Sequence, residues 1–128
     1  YECEGADRTL TLRNTIEYEG VPIRGGTSFI EHAGAWYGVA HETHSRDYHT
    51  AWLIRVSPDF TTVAQRELLP SLPLYQKGVL DPLGIFIDES SQELAFVCSW
   101  ASKYTWNAVE LHTLEGRIPL SQLSLICK

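Results

Sequence analysis

The sequence predicts an all-β chain built from two copies of one four-strand unit, and three observations carry that expectation. Short stretches of β-branched and aromatic residues alternate with polar ones, and turn residues interrupt them every eight to twelve positions. The longest apolar runs, such as Leu94-Ala95-Phe96-Val97-Cys98, span only four or five residues, which suits buried strands rather than helices. The same order of elements then recurs at an offset of about 57 residues, so that Ile30 falls on Ile87, Val39 on Val97 and Leu53 on Leu111, within a residue.

Composition narrows the class. Apolar residues are 44% of the 128 and charged residues 20%, the balance of a folded domain and not of a disordered chain. No apolar run approaches the roughly 20 residues that cross a bilayer as a helix, so no membrane partner is expected. A net charge of −6, with the ten basic residues scattered, argues against nucleic acid, since phosphate binding depends on clustered Lys and Arg.

The elements follow in order within one domain, 1–128. Residues 9–27 read as end strands of a preceding unit, from the alternation in Thr9-Leu-Thr-Leu12 and Thr15-Ile-Glu-Tyr18, followed by a glycine-bearing linker. The first unit, 28–70, runs through Ser28-Phe-Ile-Glu31, a turn at Ala33-Gly34 and Ala35-Trp-Tyr-Gly-Val-Ala40. A polar loop, Tyr48 to Val56, a Ser57-Pro-Asp59 turn and Thr61 to Leu69 complete it. The second unit, 84–125, repeats the order with Ile85 to Asp88, a turn at Glu89 to Gln92 and Glu93 to Trp100. Thr105 to His112, a Leu114-Glu-Gly116 turn and Arg117 to Ser121 follow. Helical periodicity is confined to Pro119 to Cys127, enough for a turn or two.

Each unit is thus a four-stranded antiparallel meander. One such sheet cannot bury both faces, whereas sheets stacked radially can, which is the logic of a propeller blade. About two blades leave a propeller incomplete, so the chain is expected to be part of a longer protein or to assemble with itself or a partner chain. A two-sheet β-sandwich is the alternative.

Candidate functional residues concentrate in three segments. In Gly20 to Thr27, the pair Gly25-Gly26 permits positive φ and close approach of the backbone, and Arg24 beside it offers a planar five-donor fork. The predicted loop after the second strand of the first unit carries His41, Glu42, His44, Arg46, Asp47, Tyr48 and His49, all within nine residues. His41, His44 and His49 match no fixed metal-ligand spacing, so neither a metal nor a cofactor is expected. The corresponding loop of the second unit brings Trp100 and Trp106, whose faces suit the apolar C–H face of a sugar ring. Asp81, before Pro82, reads as a turn opener, and Asp88 and Glu89 as solvated hairpin residues.

Cysteines add little chemistry. Cys98 lies in an apolar strand and reads as a buried thiol, while Cys3 and Cys127 flank the fold and would close it as a disulfide in a secreted chain. The compartment stays open, with the secretory pathway slightly favoured.

Four motifs, Ile23-Arg-Gly-Gly-Thr-Ser28, Trp36-Tyr-Gly-Val-Ala-His-Glu42, Arg46-Asp-Tyr-His49 and Ser57-Pro-Asp-Phe60, carry a resemblance. Over residues 14 to 125 the chain is similar to the C-terminal blades of five-bladed propellers related to mannoside phosphorylases and mannosidases, including a branch associated with glycosyltransferases. The resemblance implies a saccharide or glycan ligand in an axial funnel, with Gly26, Thr27 and Ser28 shaping its rim and His41 and Tyr48 contacting phosphate. It extends the substrate-binding set to Arg24, Gly26, Thr27, His41, Glu42, Arg46, Tyr48, His49, Trp100 and Trp106. The chain departs from that pattern at Ser28, where relatives carry proline, and at Lys103-Tyr104, where relatives commonly show Gly-x-x-Asp. The acid that protonates the glycosidic oxygen in those enzymes belongs to an earlier blade. Two function classes follow: a carbohydrate-active or carbohydrate-binding segment with no complete catalytic set of its own, and a non-catalytic module that assembles through blade edges.

Overall fold

The computed structural model describes residues 15–17, 19–103 and 110–126. It is mostly β-sheet. Among the described residues, eight strands form in the order β1 (Ile23–Gly26), β2 (Ile30–His32), β3 (Ala35–Ser45), β4 (Tyr48–Val56), β5 (Val63–Leu68), β6 (Val79–Asp88), β7 (Glu93–Ala101) and β8 (His112–Pro119). A single-turn 3-10 helix covers Pro73–Gln76, and a second, Leu120–Gln122, runs into one turn of α-helix, α1 (Leu123–Ile126). Among the described residues, no helix is long and apolar enough to cross a membrane.

The first half is the expected antiparallel meander: β2 pairs with β3, β3 with β4 and β4 with β5. Residues 20–27 are more than a linker, because β1 pairs with the far end of β3, Arg24 opposite His41. β1 and β2 together act as one interrupted strand along β3. Within 9–19, the described residues 15–17 and 19 form no strand, and the remaining positions lie outside the described residues.

The second half departs from the repeat after β7. β6 pairs with β7 and β7 with β8, but β8 runs straight through the expected turn at Leu114-Glu115-Gly116. The reason is the period-two pattern across that glycine. Leu114 and Ile118 point to the core while Glu115 and Arg117 point outward, so the ladder gains by continuing. The expected fourth strand, Arg117 to Ser121, is therefore absent, and Pro119 leads into the 3-10 and α1 turns that seat Leu123, 1% exposed, on the core. Of the expected third strand, 105–112, positions 105–109 lie outside the described residues and Leu111 is 67% exposed, unlike its sequence counterpart Leu53 at 0%.

One core lies between the two halves. Tyr37, Val39, Ala51 and Leu53 of the first sheet meet Leu80, Leu94, Cys98, Trp100 and Ile118 of the second. Burying these side chains is the main favourable term, at about 25 cal/mol per Å² of apolar surface. Val39 faces this core, but its counterpart Val97 shares the opposite face of β7 with Ala95, a one-residue slip that reverses the side of the sheet. The outer face of the first sheet carries a second cluster, Ala40, Ile54 and Val56, under Ile16, Ile23, Trp36 and Trp52. The outer face of the second sheet carries Ala95 and Val97 together with an ionic cluster in which Arg117 bridges Asp88, Glu93 and Glu115.

The halves join into one eight-stranded sheet among the described residues through a parallel pair, His49 opposite Val79, with the His49 N–H donating to the Gly78 carbonyl at 2.9 Å. Gly78 has φ +101°, and a Cβ there would lie 2.6 Å from the Ala101 carbonyl oxygen. Only glycine fits the junction.

Candidate functional site

The predicted polar loop from His41 to His49 is a strand hairpin. β3 continues to Ser45 and β4 begins at Tyr48, leaving Arg46 and Asp47 as a two-residue turn. Thr43 and Thr50 favour the extended backbone, and cross-strand pairing runs from Trp36–Val56 to Ser45–Tyr48 with a register shift between Thr43 and Ser45. Extension sorts the ionisable residues by parity.

His41 and His49 face the second sheet, and there they meet Asp81. The His49 Nδ1 donates to Asp81 Oδ1 at 2.8 Å, and the His41 Nδ1 lies 3.9 Å from the same oxygen. The two imidazoles stack with centroids 5.0 Å apart and planes within 13°. With Arg46 at the hairpin tip they line an open cleft of about 340 Å³. His49 is almost buried, while His41 and Asp81 are partly open to solvent.

Arg24 borders this group as the cross-strand neighbour of His41. Gly25 and Gly26 take φ +46° and +142°, and a Cβ on Gly25 would press to 3.3 Å from the His41 ring. The glycine pair lets β1 lie close against that imidazole. Thr27 acts as a fastener: its Oγ1 accepts from the Val39 N–H and donates to the Ser28 carbonyl. Burial holds the His41 pKa below its ordinary value; the Asp81 charge opposes this, and His49 and Arg24 reinforce it.

Glu42 and Tyr48 belong to the other face of the hairpin. Glu42 sits 3.4 Å from His44, His44 stacks on Tyr48 at 4.6 Å, and His44 Nε2 is 3.0 Å from Thr50 Oγ1. His41 and Tyr48, paired by the resemblance as phosphate contacts, are thus on opposite sides of one sheet. Trp100 is 4% exposed, donates its indole N–H to the Lys77 carbonyl and packs edge-on against Tyr75. Its ring serves the core and offers no open platform. Trp106, Cys3 and Cys127 lie outside the described residues.

Asp81 is the residue that the sequence reading missed. It lies within β6, opposite Ser99, and not at a turn. The repeat held the signal: the 57-residue offset carries Arg24 onto Asp81, and Arg24 lies opposite His41 while Asp81 approaches both His41 and His49. A second missed group joins Tyr75, His112 and Glu110, with the phenol 2.8 Å from His112 Nδ1 and Glu110 2.7 Å from Nε2. It pins the Pro73–Gln76 turn to β8. A further crevice of about 230 Å³ is lined mainly by apolar residues, among them Leu68, Leu80, Phe96 and Leu114, with Ser71 and Glu115 also in its wall.

Chemically, the cleft offers two imidazoles, one carboxylate and a guanidinium, with a second guanidinium at its edge. Asp81 orients His49 through Nδ1, as a carboxylate does for a ligating or proton-transferring histidine. It is the one carboxylate lining the cleft among the described residues. No known protein family, curated protein or solved structure matches the chain.

Proposed function

We propose that this chain is a carbohydrate-binding β-propeller segment whose ligand is a sugar bearing an anionic group, of the glycosyl phosphate class. The observation that carries this reading is the convergence of His41, Arg46 and His49, three residues marked as substrate-binding from sequence, on one cleft beside Arg24. Guanidinium groups hold phosphate oxygens by paired N–H donors, imidazoles donate to or accept from hydroxyls, and a carboxylate accepts from them. Glu42 faces away from the cleft, so the described residues supply no pair of carboxylates flanking one bond, and ordinary glycosidase chemistry is not part of the proposal.

In this reading the two sheets are adjacent blades, and further copies or a partner chain complete the ring. β5 pairs only with β4 and β8 only with β7 among the described residues, which leaves strand edges for such pairing. The competing reading, a non-catalytic assembly module, draws on those same edges.

Calorimetric titration with a hexose 1-phosphate, the free hexose and inorganic phosphate separates the two. The binding reading expects saturable association with the hexose 1-phosphate, weakened at least about tenfold by Arg46→Ala, since a charge-assisted bond contributes roughly 1.5–3 kcal/mol. Absence of binding to all three probes, together with a solution mass several times that of the chain, favours the assembly module.

A further inference from the structure

We propose that His41, His49 and Asp81 form a binding site for one divalent transition-metal ion, with Zn²⁺ the best match to the donor set. Each residue offers one ligand atom, and the three atoms lie within 4.8 Å of one another. The donors come from three strands, β3, β4 and β6, so the ladders fix their spacing as no flexible loop would.

Geometry favours an ion over a chance cluster. Four ligands at about 2.0–2.1 Å around a tetrahedral Zn²⁺ stand about 3.3 Å apart. The separations of 2.8 Å and 3.9 Å from Asp81 Oδ1 to the two imidazoles bracket that value. The remaining separation, between the two imidazole ligand atoms, is within 4.8 Å, so closing on one ion takes rotation of these side chains. The proton that His49 Nδ1 shares with Asp81 is the one the ion replaces, which is how imidazole and carboxylate ligands are normally freed. The ring planes lie within 13° at a centroid separation of 5.0 Å, so one imidazole must tilt for the in-plane lone pairs of both to meet at one ion. Two imidazoles and one carboxylate would leave a fourth tetrahedral position for a further ligand, and all three residues line the cleft.

Other clusters do not match. Glu42 with His44 and Glu110 with His112 each bring one carboxylate and one imidazole, and the carboxylates at Asp88, Glu93 and Glu115 are taken by Arg117. Arg24 and Arg46 stand beside the three donors, where they attract an anionic group to the ion's open position. The site itself is independent of the saccharide reading.

The test uses the full chain, stripped with a chelator and desalted, and titrated with Zn²⁺ against a competing chromophoric chelator with no sugar present. The expected result is one ion per chain. Affinity falls at least tenfold in His49→Ala and in Asp81→Asn, and is unchanged in His44→Ala and His112→Ala. Asp81→Asn keeps an acceptor for His49 while losing the anionic ligand, so it distinguishes a lost ligand from a lost fold, and circular dichroism matching wild type verifies this. Co²⁺ in place of Zn²⁺ gives visible d–d absorption that disappears in the same two variants. The proposal is overturned by non-saturable binding, by unchanged affinity in folded Asp81→Asn, or by loss of binding in His44→Ala or His112→Ala. Because no sugar is present, none of these outcomes bears on the hexose 1-phosphate titration.

Discussion

Asp81 of the second sheet accepts a 2.8 Å hydrogen bond from His49 of the first, the same residue that pairs with Val79 where the two halves join. The contact sets a polar end on a core that is otherwise apolar. It also makes the candidate site a product of the packing between halves, so its geometry depends on the core beside it.

That core gives the first prediction. Leu53 and Leu94, both fully buried, belong to different halves and the same cluster. Leu53→Ala and Leu94→Ala each lower unfolding free energy by about 2–5 kcal/mol in urea denaturation. A single transition persists in both, because neither half buries its inner face alone.

The junction gives the second. Gly78→Ala meets both a left-handed φ and the Ala101 carbonyl, so it costs about 1–3 kcal/mol, above an ordinary glycine substitution. Amide exchange at His49, whose N–H bonds Gly78, speeds up in this variant before exchange in mid-β7 does.

Cys98 gives the third. Burial, with a smaller contribution from the Asp81 charge, pushes its thiol up to about 11. The folded state holds the proton more tightly than the unfolded chain, whose thiol titrates near 8.5, so stability falls as pH rises from about 8.5 toward 11. Native protein labels slowly with iodoacetamide at Cys98 at pH 8 and readily in urea, read by peptide mass.

Acid gives the fourth. Hydrogen bonds from Ser90, Arg117 and Ser91 hold the Asp88 carboxyl well below the usual carboxylate range. Its contribution is present above the unfolded value near 3.9 and is lost as pH falls through the lower folded value. The urea midpoint of wild type therefore declines below about pH 4, and Asp88→Asn flattens part of that decline.

How much of this was legible beforehand differs from segment to segment. Strand alternation around Tyr37, Val39, Ala51 and Leu53 announced the first meander, and the short apolar run through Cys98 announced β7 and a buried thiol. The second meander was overread. Leu114-Glu115-Gly116 looks like a turn locally, and only the alternation continuing through Ile118 shows the strand proceeding. The site was half visible. His41, Arg46 and His49 stood out by residue type, but a two-residue turn at Arg46-Asp47 was not distinguishable from a longer loop, and that difference decides which side chains share a face. Asp81 was hidden because Asp-Pro signals a turn, whereas here Pro82 sits at a register shift in β6 that tolerates a missing N–H.

The most direct measurement is a double-mutant cycle on stability between His49→Ala and Asp81→Ala, using urea denaturation near pH 7. Side chains from the two halves that bond in one site give a coupling energy within about 0.5–3 kcal/mol. Effects that simply add, to within about 0.3 kcal/mol, contradict a shared site between the sheets.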